Sequence, residues 1–549
     1  MREMLEGGGP GGVLDVLTGD YLAELTMLIL SRDPSSGYAK TFLAQLEDCL
    51  RLALDRRVCI VANAGGVDPS GLREAIRDLG VDARVATVPN VEVGGGYAYL
   101  GAFGIARAVE HGADLVITGR VTDASLVVGP AIARFGWDRT DLDALAGATV
   151  AGHVLECGTQ STGGNYAFFD EIPDLDHPGF PIAEIQPDGS SVITKHPGTG
   201  GAVTVGTVTA QLVYEIGDAR YPGPDVTTRL DTVSLAPAGP DRVEITGVRG
   251  EPPPPDLKVA HTSVAGFRNE LTVVLTGLDI EAKAALFRRQ FEAAARTEPA
   301  EVTWTLTRLD ATDAPTQQQA SALLTVVARD RDEKVAGRAF ADGAVELALA
   351  SYPGFFATSP PGRAHPYGVF TASYVPQGEH EVVLADGTVE TIEAPRVMRP
   401  LEPMPGPEPD APAPTGETRP LEPMPGPEPD VPAATGGTRR LPLGTVAGAR
   451  SGDKGGDANI GLWVRDVRAY PWLSALATEE TVRDLLPETT GHPIRITRLP
   501  RVHAVNIVIE GLLGQGVAYN ARFDPQAKGL GEWLRSRHVD IPAWLLEDQ

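Results

Sequence analysis

The sequence predicts an α/β protein in three parts. These are a large N-terminal α/β region with a mostly parallel sheet and an α+β lobe, a proline-rich linker, and a C-terminal α/β sandwich. Three observations predict this organisation. Short apolar runs alternate with helical segments between residues 57 and 136. A 20-residue proline-rich segment at 399–418 is repeated at 419–438 with three differences. A second series of strand and helix patterns follows the repeat.

The chain has 549 residues, more than one hydrophobic core usually supports, so separate domains are expected. We place the N-terminal region at 1–395, with its α/β part over about 1–145 and its α+β lobe over about 146–395. The linker covers 396–440, and the C-terminal domain covers 441–549.

The α/β part is predicted from its alternating pattern. Its strands and helices are expected at 57–65 (strand), 70–80 (helix), 82–88 (strand), 98–112 (helix), 113–119 (strand) and 123–136 (helix). Strands that read as continuous apolar runs are buried on both faces, which is typical of a parallel sheet between helices.

The middle of the chain is richer in strand patterns. Residues 196–217, 241–250 and 323–330 are rich in β-branched side chains, and 269–295 read as a strand followed by a helix. This mixture predicts the α+β lobe.

The linker prediction follows from its prolines. Proline fixes φ and removes a backbone donor, so the repeat is expected to be an extended spacer without a core. A docking site for a proline-binding module is the alternative reading.

The C-terminal domain is predicted from a second set of patterns. Its elements are expected at 441–448 (strand), 450–458 (glycine-rich loop), 459–465 (strand), 478–486 (helix), 493–500 and 504–513 (strands) and 524–538 (helix).

Composition limits the partners. The formal net charge of −26 disfavours nucleic acid and anionic membranes, so neither is an expected partner. Three cysteines cannot form a disulfide framework, and the chain has neither an apolar signal core nor an apolar run of membrane length. These features predict a cytoplasmic protein, and a homo-oligomer is compatible with them.

Polar residues follow two of the predicted parallel strands, where ligands of such sheets bind. Candidate ligand contacts at these strand ends are Asn63, Gly65, Gly66, Asp68, Arg120 and Asp123. Arg120 is suited to a carboxylate or phosphate. Asp123 is equally suited to capping the next helix. Gly95 and Gly96 would let backbone N–H groups approach an anion, although a plain turn is the commoner use of such glycines.

A denser polar stretch, 152–169, supplies the main catalytic candidates. Glu156 is expected to act as general acid or base, provided that it faces a partly desolvated pocket. Cys157 would be a nucleophile if a neighbouring base lowered its pKa, but a buried small hydrophobic role is commoner. Candidate substrate contacts in the same stretch are Gln160, Thr162 and Asn165.

Two further segments contain candidate functional residues. Lys195 and His196 precede a glycine turn, where His196 is either an acid/base group or part of a solvated turn. Residues 215–226 are either a substrate loop or a rigid connection.

The glycine-rich loop at 450–458 is expected to close on the ligand site of the large domain. Its candidate contacts, with the residue that follows, are Arg450, Ser451, Asp453, Lys454 and Asn459. The alternative is a self-contained network of charges that stiffens the loop.

Familiar catalytic signatures are missing from the sequence. It contains no GxSxG, GxxxxGK[ST], HExxH or CxxC motif, and no GxGxxG follows a strand. This argues against serine hydrolases, P-loop enzymes, zincins and standard dinucleotide dehydrogenases. No cofactor is evident, and the use of a metal stays open.

Several ordered segments resemble the acyclic terpene utilisation (AtuA-like) family. They are DYLAELTMLIL (20–30), NAGGVDP (63–69), ITGRVTDASL (117–126), AGHVLECGTQSTGGN (151–165), GFPIAEI (179–185), KHPGTGGAVTVGTVTAQLVYEIG (195–217), ARYPGPDV (219–226) and ARSGDKGGDANIGLWVR (449–465). The resemblance implies a ferredoxin-like C-terminal domain. It also implies a part in the breakdown of acyclic terpenoids and branched acids through CoA thioesters. Relatives usually open with a strand and a glycine-rich turn before the first segment, so here we expect that strand to be absent or shortened.

The sequence thus predicts a catabolic enzyme that uses acid/base chemistry, in hydration, lyase chemistry or thioester hydrolysis. Its ligand would be a branched or terpenoid carboxylic acid or the CoA thioester of one, so a CoA moiety would arrive with the substrate. The alternative is a non-catalytic binding or scaffold subunit of an acyl-CoA-processing complex.

Overall fold

The computed structural model describes residues 1–7, 14–23, 25–32, 37–294, 297–401 and 437–546. Most of the predicted proline-rich linker lies outside the described residues. The fold is mixed α/β, as the sequence predicts, and it divides into two compact units. Unit 1 comprises Met1–His261, Thr371–Gly514 and Gln526–Gln549, and unit 2 comprises Thr262–Phe370 and Gln515–Pro525. The predicted boundaries at 145 and 395 therefore do not coincide with those of the units, because residues 146–261 pack within unit 1.

The helices carry the labels used below. They are α1 (Arg2–Glu6), α2 (Thr26–Ser31), α3 (Lys40–Arg56), α4 (Pro69–Asp78), α5 (Phe103–Glu110), α6 (Ser125–Phe135), α7 (Leu142–Glu156), α8 (Val205–Leu212), α9 (Ile280–Ala294) and α10 (Phe340–Glu346), then α11 (Tyr470–Leu476), α12 (Glu479–Leu485) and α13 (Leu530–Ser536). Helices α9 and α10 belong to unit 2. Among the residues described, no helix has the length and apolar character needed to cross a lipid bilayer.

A six-stranded sheet forms the first layer of unit 1. In spatial order its strands are β1 (Val16–Gly19), β2 (Cys59–Ala62), β6 (Leu115–Thr118), β3 (Val85–Val88), β19 (His380–Val383) and β20 (Val389–Ile392). The first four run parallel, and the last two are antiparallel. Strand β1 pairs with β2 along its full length and is as long as its parallel neighbours.

Both faces of this sheet are covered by helices. Ile60 and Leu115 pack with the apolar side chains of α3 and α4, whereas Val61 and Val116 pack with those of α5. The period of two in a strand sends successive side chains to opposite faces, which is why these strands read as continuous apolar runs.

Further strands of unit 1 pair in antiparallel fashion. The first two of them join a seven-stranded sheet, and the others form two small sheets. These strands are β4 (Glu92–Val93), β5 (Gly96–Ala98), β7 (Pro181–Ile185), β8 (Ser191–Lys195), β9 (Arg220–Pro222), β10 (Thr227–Arg229), β11 (Ser234–Pro237), β12 (Val243–Thr246) and β13 (Arg249–Glu251). The sheets have the orders β11-β12-β8-β7 and β13-β10-β9, and they share a core with α7 and α8.

Helix α8 corrects the prediction of strand structure over 196–217. Thr204 and Thr207 exchange side-chain and backbone hydrogen bonds in a capping box that starts this helix. The β-branched residues of the segment favour a strand in isolation, but the cap and the burial of the helix among α7 and its neighbours decide the structure.

The C-terminal part of unit 1 holds two sheets. One pairs β21 (Thr438–Pro442) with β26 (His538–Pro542), and the other orders β22 (Ala447–Lys454), β23 (Asp457–Val464), β25 (Ala504–Ile509) and β24 (Ile494–Leu499) in antiparallel fashion. The predicted loop at 450–458 is wrong, because β22 and β23 run through it and leave only Gly455 and Gly456 as a turn. Gly455 has φ of 64°, which a glycine adopts without strain.

Unit 2 is built on long antiparallel strands. They are β14 (Asp256–Thr276), β15 (Glu301–Thr307), β16 (Ser321–Asp330), β17 (Phe356–Ala357) and β18 (His365–Pro376), of which β14 begins and β18 ends in unit 1. Phe287 of α9 lies in the unit 2 core, with Trp304 and Tyr352 packed edge-on against its ring.

Candidate functional site

Polar residues gather where the parallel strands of the first sheet end. Asp20 follows β1, Asn63 follows β2, and Asp123 lies five residues beyond β6. Asn63 donates from Nδ2 to Oδ1 of Asp20 at 2.6 Å and accepts at Oδ1 from the backbone of Tyr21 at 2.7 Å. Asn63, predicted to contact a ligand, is buried and instead fixes the segment that carries Asp20.

Arg120 is a structural residue in this arrangement. Its side chain is 2% exposed and donates to the carbonyl oxygens of Val121 and Leu22, at 3.0 and 2.9 Å, and to the carboxylate of Asp123. The guanidinium also lies 4.6 Å from the ring centroid of Tyr99. The predicted ligand role of Arg120 is therefore corrected, because its donors already serve protein acceptors.

The structure also decides between the two readings of Asp123. Helix α6 begins at Ser125 with Ala124 at its N-cap, and no side chain caps it. The Asp123 side chain keeps 36% of its surface exposed although its carboxylate is paired with Arg120. Asp123 is therefore not a helix cap, and solvent or a ligand reaches it.

Other carboxylates act on Asp123. The Asp123 carboxyl group is partly withdrawn from water, and this desolvation, together with the charge of Asp20, raises the pKa of Asp123 above its ordinary value. Arg120 opposes this rise, while Glu156 and Glu215 add to it. A carboxyl group under these influences binds a proton more tightly than one in water.

Glu156 ends helix α7 beside a histidine that the sequence analysis did not single out. Nδ1 of His153 lies 2.9 Å from Oε1 of Glu156, and the two side chains are 3% and 9% exposed. Nε2 of His153 contacts the carbonyl oxygen of Leu212 at 3.2 Å. Residues three apart on a helix share a face. The spacing of His and Glu within GHVLEC was therefore the sequence signal that could have predicted this pair.

The pKa values of this pair are shifted together. Burial raises the pKa of Glu156, His153 opposes that rise, and the charges of Asp20 and Glu215 add to it, so that the net direction is upward. Burial alone would lower the pKa of His153, but the Glu156 carboxylate outweighs it and raises the pKa. Glu156 thus has the desolvated setting that the sequence analysis required of a general acid or base.

Tyr221 and Lys454 complete this group. The Tyr221 ring lies 5.5 Å from that of His153, and Nζ of Lys454 lies 5.8 Å from the Tyr221 centroid. The Tyr221 hydroxyl donates to no residue that the structure describes. Burial, together with the Glu156 and other acidic charges, raises the pKa of Tyr221 well above its ordinary value, so the hydroxyl stays neutral.

We call this group the Glu156 cluster. It consists of Asp20, Asp123, His153, Glu156, Glu215, Tyr221 and Lys454.

The C-terminal sheet presents Arg450 and Lys454 to the same side of strand β22, because side chains two and four positions apart share a face. Arg450 donates to the carbonyl oxygen of Asn165 at 2.9 Å and to the side chain of Gln160, and it lies 4.6 Å from the ring centroid of Tyr214. The predicted ligand contacts Arg450, Gln160 and Asn165 thus bind one another.

Lys454 and Asn459 hold Glu215 in an uncommon backbone conformation. Glu215 has φ of 55°, a left-handed conformation that costs a non-glycine residue about 1–3 kcal/mol. Its N–H donates to Oδ1 of Asn459 at 2.8 Å, and its carbonyl accepts from Nζ of Lys454 at 2.7 Å. Asn459 also donates to the carbonyl of Ile216, so its role is to position this segment.

The remaining candidates on β22 contact the segment before α13. Ser451 accepts from the backbone of Gly531 at 2.8 Å and donates to the carbonyl of Lys528 at 3.1 Å. Asp453 lies 3.5 Å from Nζ of Lys528, and burial raises its pKa. These contacts favour the self-contained network for Ser451 and Asp453.

Lys195 and His196 lie apart from the cluster. Nζ of Lys195 donates to the carbonyl of Thr199 at 2.7 Å and pairs with Asp241 at 3.2 Å. Nε2 of His196 contacts the carbonyl oxygen of Met4 at 3.1 Å. The His196 ring is buried and bonded to the backbone, so it is not part of a solvated turn.

The glycine-rich candidates have structural roles. Asp68 caps helix α4 by accepting from the backbone of Gly71. Gly65 approaches the carbonyl of Thr118 so closely that a Cβ would lie 2.6 Å from its oxygen.

The other candidate glycines, Gly66, Gly95 and Gly96, lie in turns and in a hairpin. Gly95 has φ of 78° between β4 and β5, well before helix α5 begins, so no helix N-terminus lies there.

Cys157 and Thr162 are not poised for chemistry. Burial and the charges of Glu156 and Glu215 raise the pKa of Cys157 to about 12, which keeps the thiol neutral. The condition for a nucleophilic Cys157 is therefore not met. Thr162 donates to the carbonyl of Gly179 at 2.7 Å and is buried.

The family comparison bears on this geometry. Residues 1–95 and 90–385 match the family model described as acyclic terpene utilisation family protein AtuA, and residues 441–540 match the AtuA ferredoxin-like domain. The chain belongs to the AtuA family. This confirms the resemblance found in the sequence, and with it the ferredoxin-like C-terminal domain. Comparison with curated proteins and with solved structures gave no match.

Membership of the AtuA family indicates a catabolic role in acyclic terpene utilisation. The matched residues of the two AtuA models contain every member of the Glu156 cluster. Three members, Asp20, His153 and Glu215, were missed as single residues in the sequence, although all lie in segments that resemble the family.

The arrangement of possible metal ligands also bears on the site. Within the described ranges, no group of three or more His, Cys, Asp or Glu side chains is arranged to hold a metal ion.

Proposed function

We propose that this AtuA-family chain is a catabolic enzyme that moves a proton on a branched or terpenoid carboxylic acid, or on its CoA thioester. Hydration, lyase chemistry and thioester hydrolysis all use such a step. One observation carries the proposal: Asp123, beyond β6, and Glu156, at the end of α7, lie close enough to interact electrostatically, and both have raised pKa values. Carboxyl groups whose pKa is shifted toward neutral pH are typical of general acids and bases.

Glu156 is the proposed general acid/base, and Asp123 is the second carboxyl group. Glu156 is more enclosed than Asp123, so its two protonation states differ more in solvation. Tyr221 has a neutral hydroxyl without a described partner, and in this proposal it donates a hydrogen bond to a substrate oxygen.

Lys454 is the proposed contact for a carboxylate or phosphate of the ligand. From the sequence, Arg120, Arg450 and Lys454 were all candidates for this role, but both guanidinium groups donate to protein acceptors. Lys454 is exposed, and within the part of the chain that the structure describes its one hydrogen-bond acceptor is the Glu215 carbonyl. An ammonium group has three donors, so two remain for a ligand.

The test is an assay of the purified full chain against a panel of acyl-CoA thioesters and the corresponding free acids. The proposal predicts turnover of at least one branched member by the wild type and its loss in Glu156→Gln. Thermal stabilisation by an acyl-CoA without any turnover would contradict the proposal and favour a non-catalytic binding subunit of an acyl-CoA-processing complex.

A further inference from the structure

The contact between His153 and Glu156 joins two titratable side chains inside unit 1. Both lie on the last turns of α7, with Nδ1 of the ring 2.9 Å from Oε1 of the carboxyl group. Only 3% of the His153 side chain and 9% of the Glu156 side chain are exposed. In so dry a contact the number of bound protons determines how much charge is buried.

The second ring nitrogen of His153 defines the tautomer. Nε2 lies 3.2 Å from the carbonyl oxygen of Leu212, the last residue of α8. A carbonyl oxygen only accepts hydrogen bonds, so Nε2 must carry a hydrogen. Gln211 donates to the His153 backbone carbonyl at 3.2 Å and so joins the same two helices. The ring is therefore held with Nδ1 toward Glu156.

Nδ1 has no other hydrogen-bond partner among the described residues, so Oε1, at 2.9 Å, is the atom placed to share a proton with it. Without a proton, two lone pairs would face each other at 2.9 Å in a dry environment. A second proton would have to lie on Oε2, because hydrogens on both Nδ1 and Oε1 would collide. The pair is either an imidazolium with a carboxylate or a neutral imidazole with a carboxylic acid, and both forms have no net charge.

Charged groups from other elements surround the pair. Lys454 of β22 lowers the pKa of His153, whereas Asp20 after β1 and Glu215 after α8 raise the pKa of Glu156. Tyr221 of β9 faces the imidazole ring at 5.5 Å. Oε1 of Glu156 is engaged with His153, so Oε2 is the oxygen left for another partner.

We propose that His153 is the positioning residue of the site, which orients Glu156 and keeps one proton on the pair so that Oε2 exchanges protons with the substrate. This inference rests on the proposed role of Glu156. When Oε2 takes a proton, the substrate X–H bond breaks, X keeps the electron pair, and an O–H bond forms. The pair then holds two protons, with an imidazolium beside a carboxylic acid. Returning the proton from Oε2 to the reacting atom restores the starting state.

Nitrogen NMR of the full chain labelled with ¹⁵N-histidine tests the shared proton without a substrate. We expect Nε2 of His153 to stay protonated throughout, and the titration midpoint of the ring to lie above the ordinary value of 6.5. In Glu156→Gln this midpoint should fall by about one pH unit or more, since the carboxylate that favours the imidazolium is gone.

His196 is the matched control, because it is also buried but bonds to a backbone carbonyl. Its ¹⁵N chemical shifts at one fixed pH should be the same in the wild type and in Glu156→Gln. The His153 signals are assigned by their loss in His153→Asn, or in His153→Gln if the first variant does not fold. A His153 ring protonated only at Nδ1, or a midpoint that does not respond to Glu156→Gln, would overturn the inference.

Kinetics separate this inference from the proposed function. His153→Asn should lower kcat by about tenfold or more with a smaller change in KM, and it should shift the pH profile of kcat. A purely structural histidine would change the melting temperature and leave that profile in place, which contradicts the inference. If Glu156→Gln abolishes turnover but the NMR shows no shared proton, the inference fails and the function stands. If the shared proton is seen and Glu156→Gln turns over normally, the function fails instead.

Discussion

The Glu156 cluster and the Lys195–His196 turn each bury a histidine, but they give it different partners. His153 faces a carboxyl group at 2.9 Å, with further acidic side chains close enough to shift its partner's pKa. His196 faces the carbonyl oxygen of Met4. A backbone carbonyl satisfies a ring nitrogen without being able to exchange a proton, whereas a carboxyl group can. The chemistry of a buried histidine therefore depends on what it contacts rather than on its burial.

The lysines of the two regions differ in the same way. Lys195 is buried and is paired with Asp241 at 3.2 Å. Lys454 is exposed, and the structure gives it a carbonyl acceptor and a nearby aromatic ring. A cation already neutralised by a carboxylate has little to offer an anionic ligand, which is why we place ligand binding at Lys454.

The largest expected effect is that of Glu156→Gln. The amide keeps the shape of the side chain but holds no transferable proton. We expect turnover to fall by about a hundredfold or more, the usual scale for loss of a general acid/base, with little change in melting temperature. Steady-state kinetics and a thermal melt of the same preparation measure both quantities.

Cys157→Ser is the control for Glu156→Gln, because Cys157 is adjacent in sequence and its thiol is neutral. Its turnover should stay close to that of the wild type. Turnover of Glu156→Gln at the wild-type rate would remove Glu156 from the chemistry.

Arg120→Met should destabilise unit 1 rather than impair ligand binding alone. The substitution leaves the Asp123 carboxylate without its cation and the carbonyls of Leu22 and Val121 without a donor. We expect a loss of about 3 kcal/mol, the lower end of the range for breaking a buried pair, because solvent reaches Asp123. The midpoint of urea denaturation measures this loss.

The matched control is Arg134, an exposed residue near the end of α6. Arg134→Met should leave the urea midpoint almost unchanged. Equal midpoints for Arg120→Met and the wild type would show that Arg120 is free for a ligand after all.

Lys454→Met should weaken the binding of an acyl-CoA. The variant keeps the aliphatic stem but removes the ammonium donors. A charge-assisted hydrogen bond contributes about 1.5–3 kcal/mol, so we expect the dissociation constant to rise by about ten- to a hundredfold. Isothermal titration calorimetry measures it, with Lys334→Met, an exposed lysine of unit 2, as control. Unchanged affinity would mean that Lys454 only holds Glu215.

Asp123→Asn should produce a smaller change, a shift in thermal stability that depends on pH. A carboxyl group with a raised folded-state pKa contributes stability below its ordinary value of 3.8, and that contribution is lost as the pH rises through the folded-state pKa. Asparagine stays neutral throughout. The variant should therefore melt above the wild type at pH 8 and converge with it near pH 4, as calorimetry at several pH values measures.

Asp386→Asn is the control, because we expect its change in melting temperature at pH 8 to have the opposite sign. Its carboxylate accepts from the backbone of Thr388 at 2.8 Å, and these hydrogen bonds lower the pKa of Asp386. It contributes stability above its ordinary value, which is lost as the pH falls through the folded-state pKa. Asp386→Asn should therefore melt below the wild type at pH 8. The same sign for both variants would contradict the assigned environment of Asp123.

The smallest effect is expected for His196→Gln. A glutamine amide reaches the carbonyl of Met4 as the ring does. We expect a stability change of about 1 kcal/mol or less and turnover within about twofold of the wild type. A hundredfold loss of turnover would place catalysis at the Lys195–His196 turn and contradict the difference drawn between the two histidines.

The sequence predicted the strands and helices of the first sheet well, and it singled out Glu156 as a candidate. The apolar runs that became β2, β3 and β6 are buried on both faces, and such runs are a local signal. Glu156 was recognisable because an acidic residue among glycines and small polar residues is unusual for a core. It follows one turn after His153, which was hidden in the apolar face of α7.

Partners that are distant in sequence explain why the ligand contacts were predicted less well than the sheet. Arg450 reaches Gln160, 290 residues away in sequence, and Lys454 reaches Glu215, 239 residues away. Sequence patterns report local periodicity and cannot show that these donors are already engaged. Helix α8 was mistaken for strand because its β-branched composition outweighed the cap at Thr204.

The most direct test of the central claim compares two double variants on one acyl-CoA that the wild type turns over. The account predicts that Asp123→Asn/Glu156→Gln loses kcat/KM by about a hundredfold or more, whereas Lys195→Met/His196→Gln, if folded, stays within about tenfold. A folded Asp123→Asn/Glu156→Gln chain with wild-type kcat/KM, beside a folded Lys195→Met/His196→Gln chain that is inactive, would contradict it.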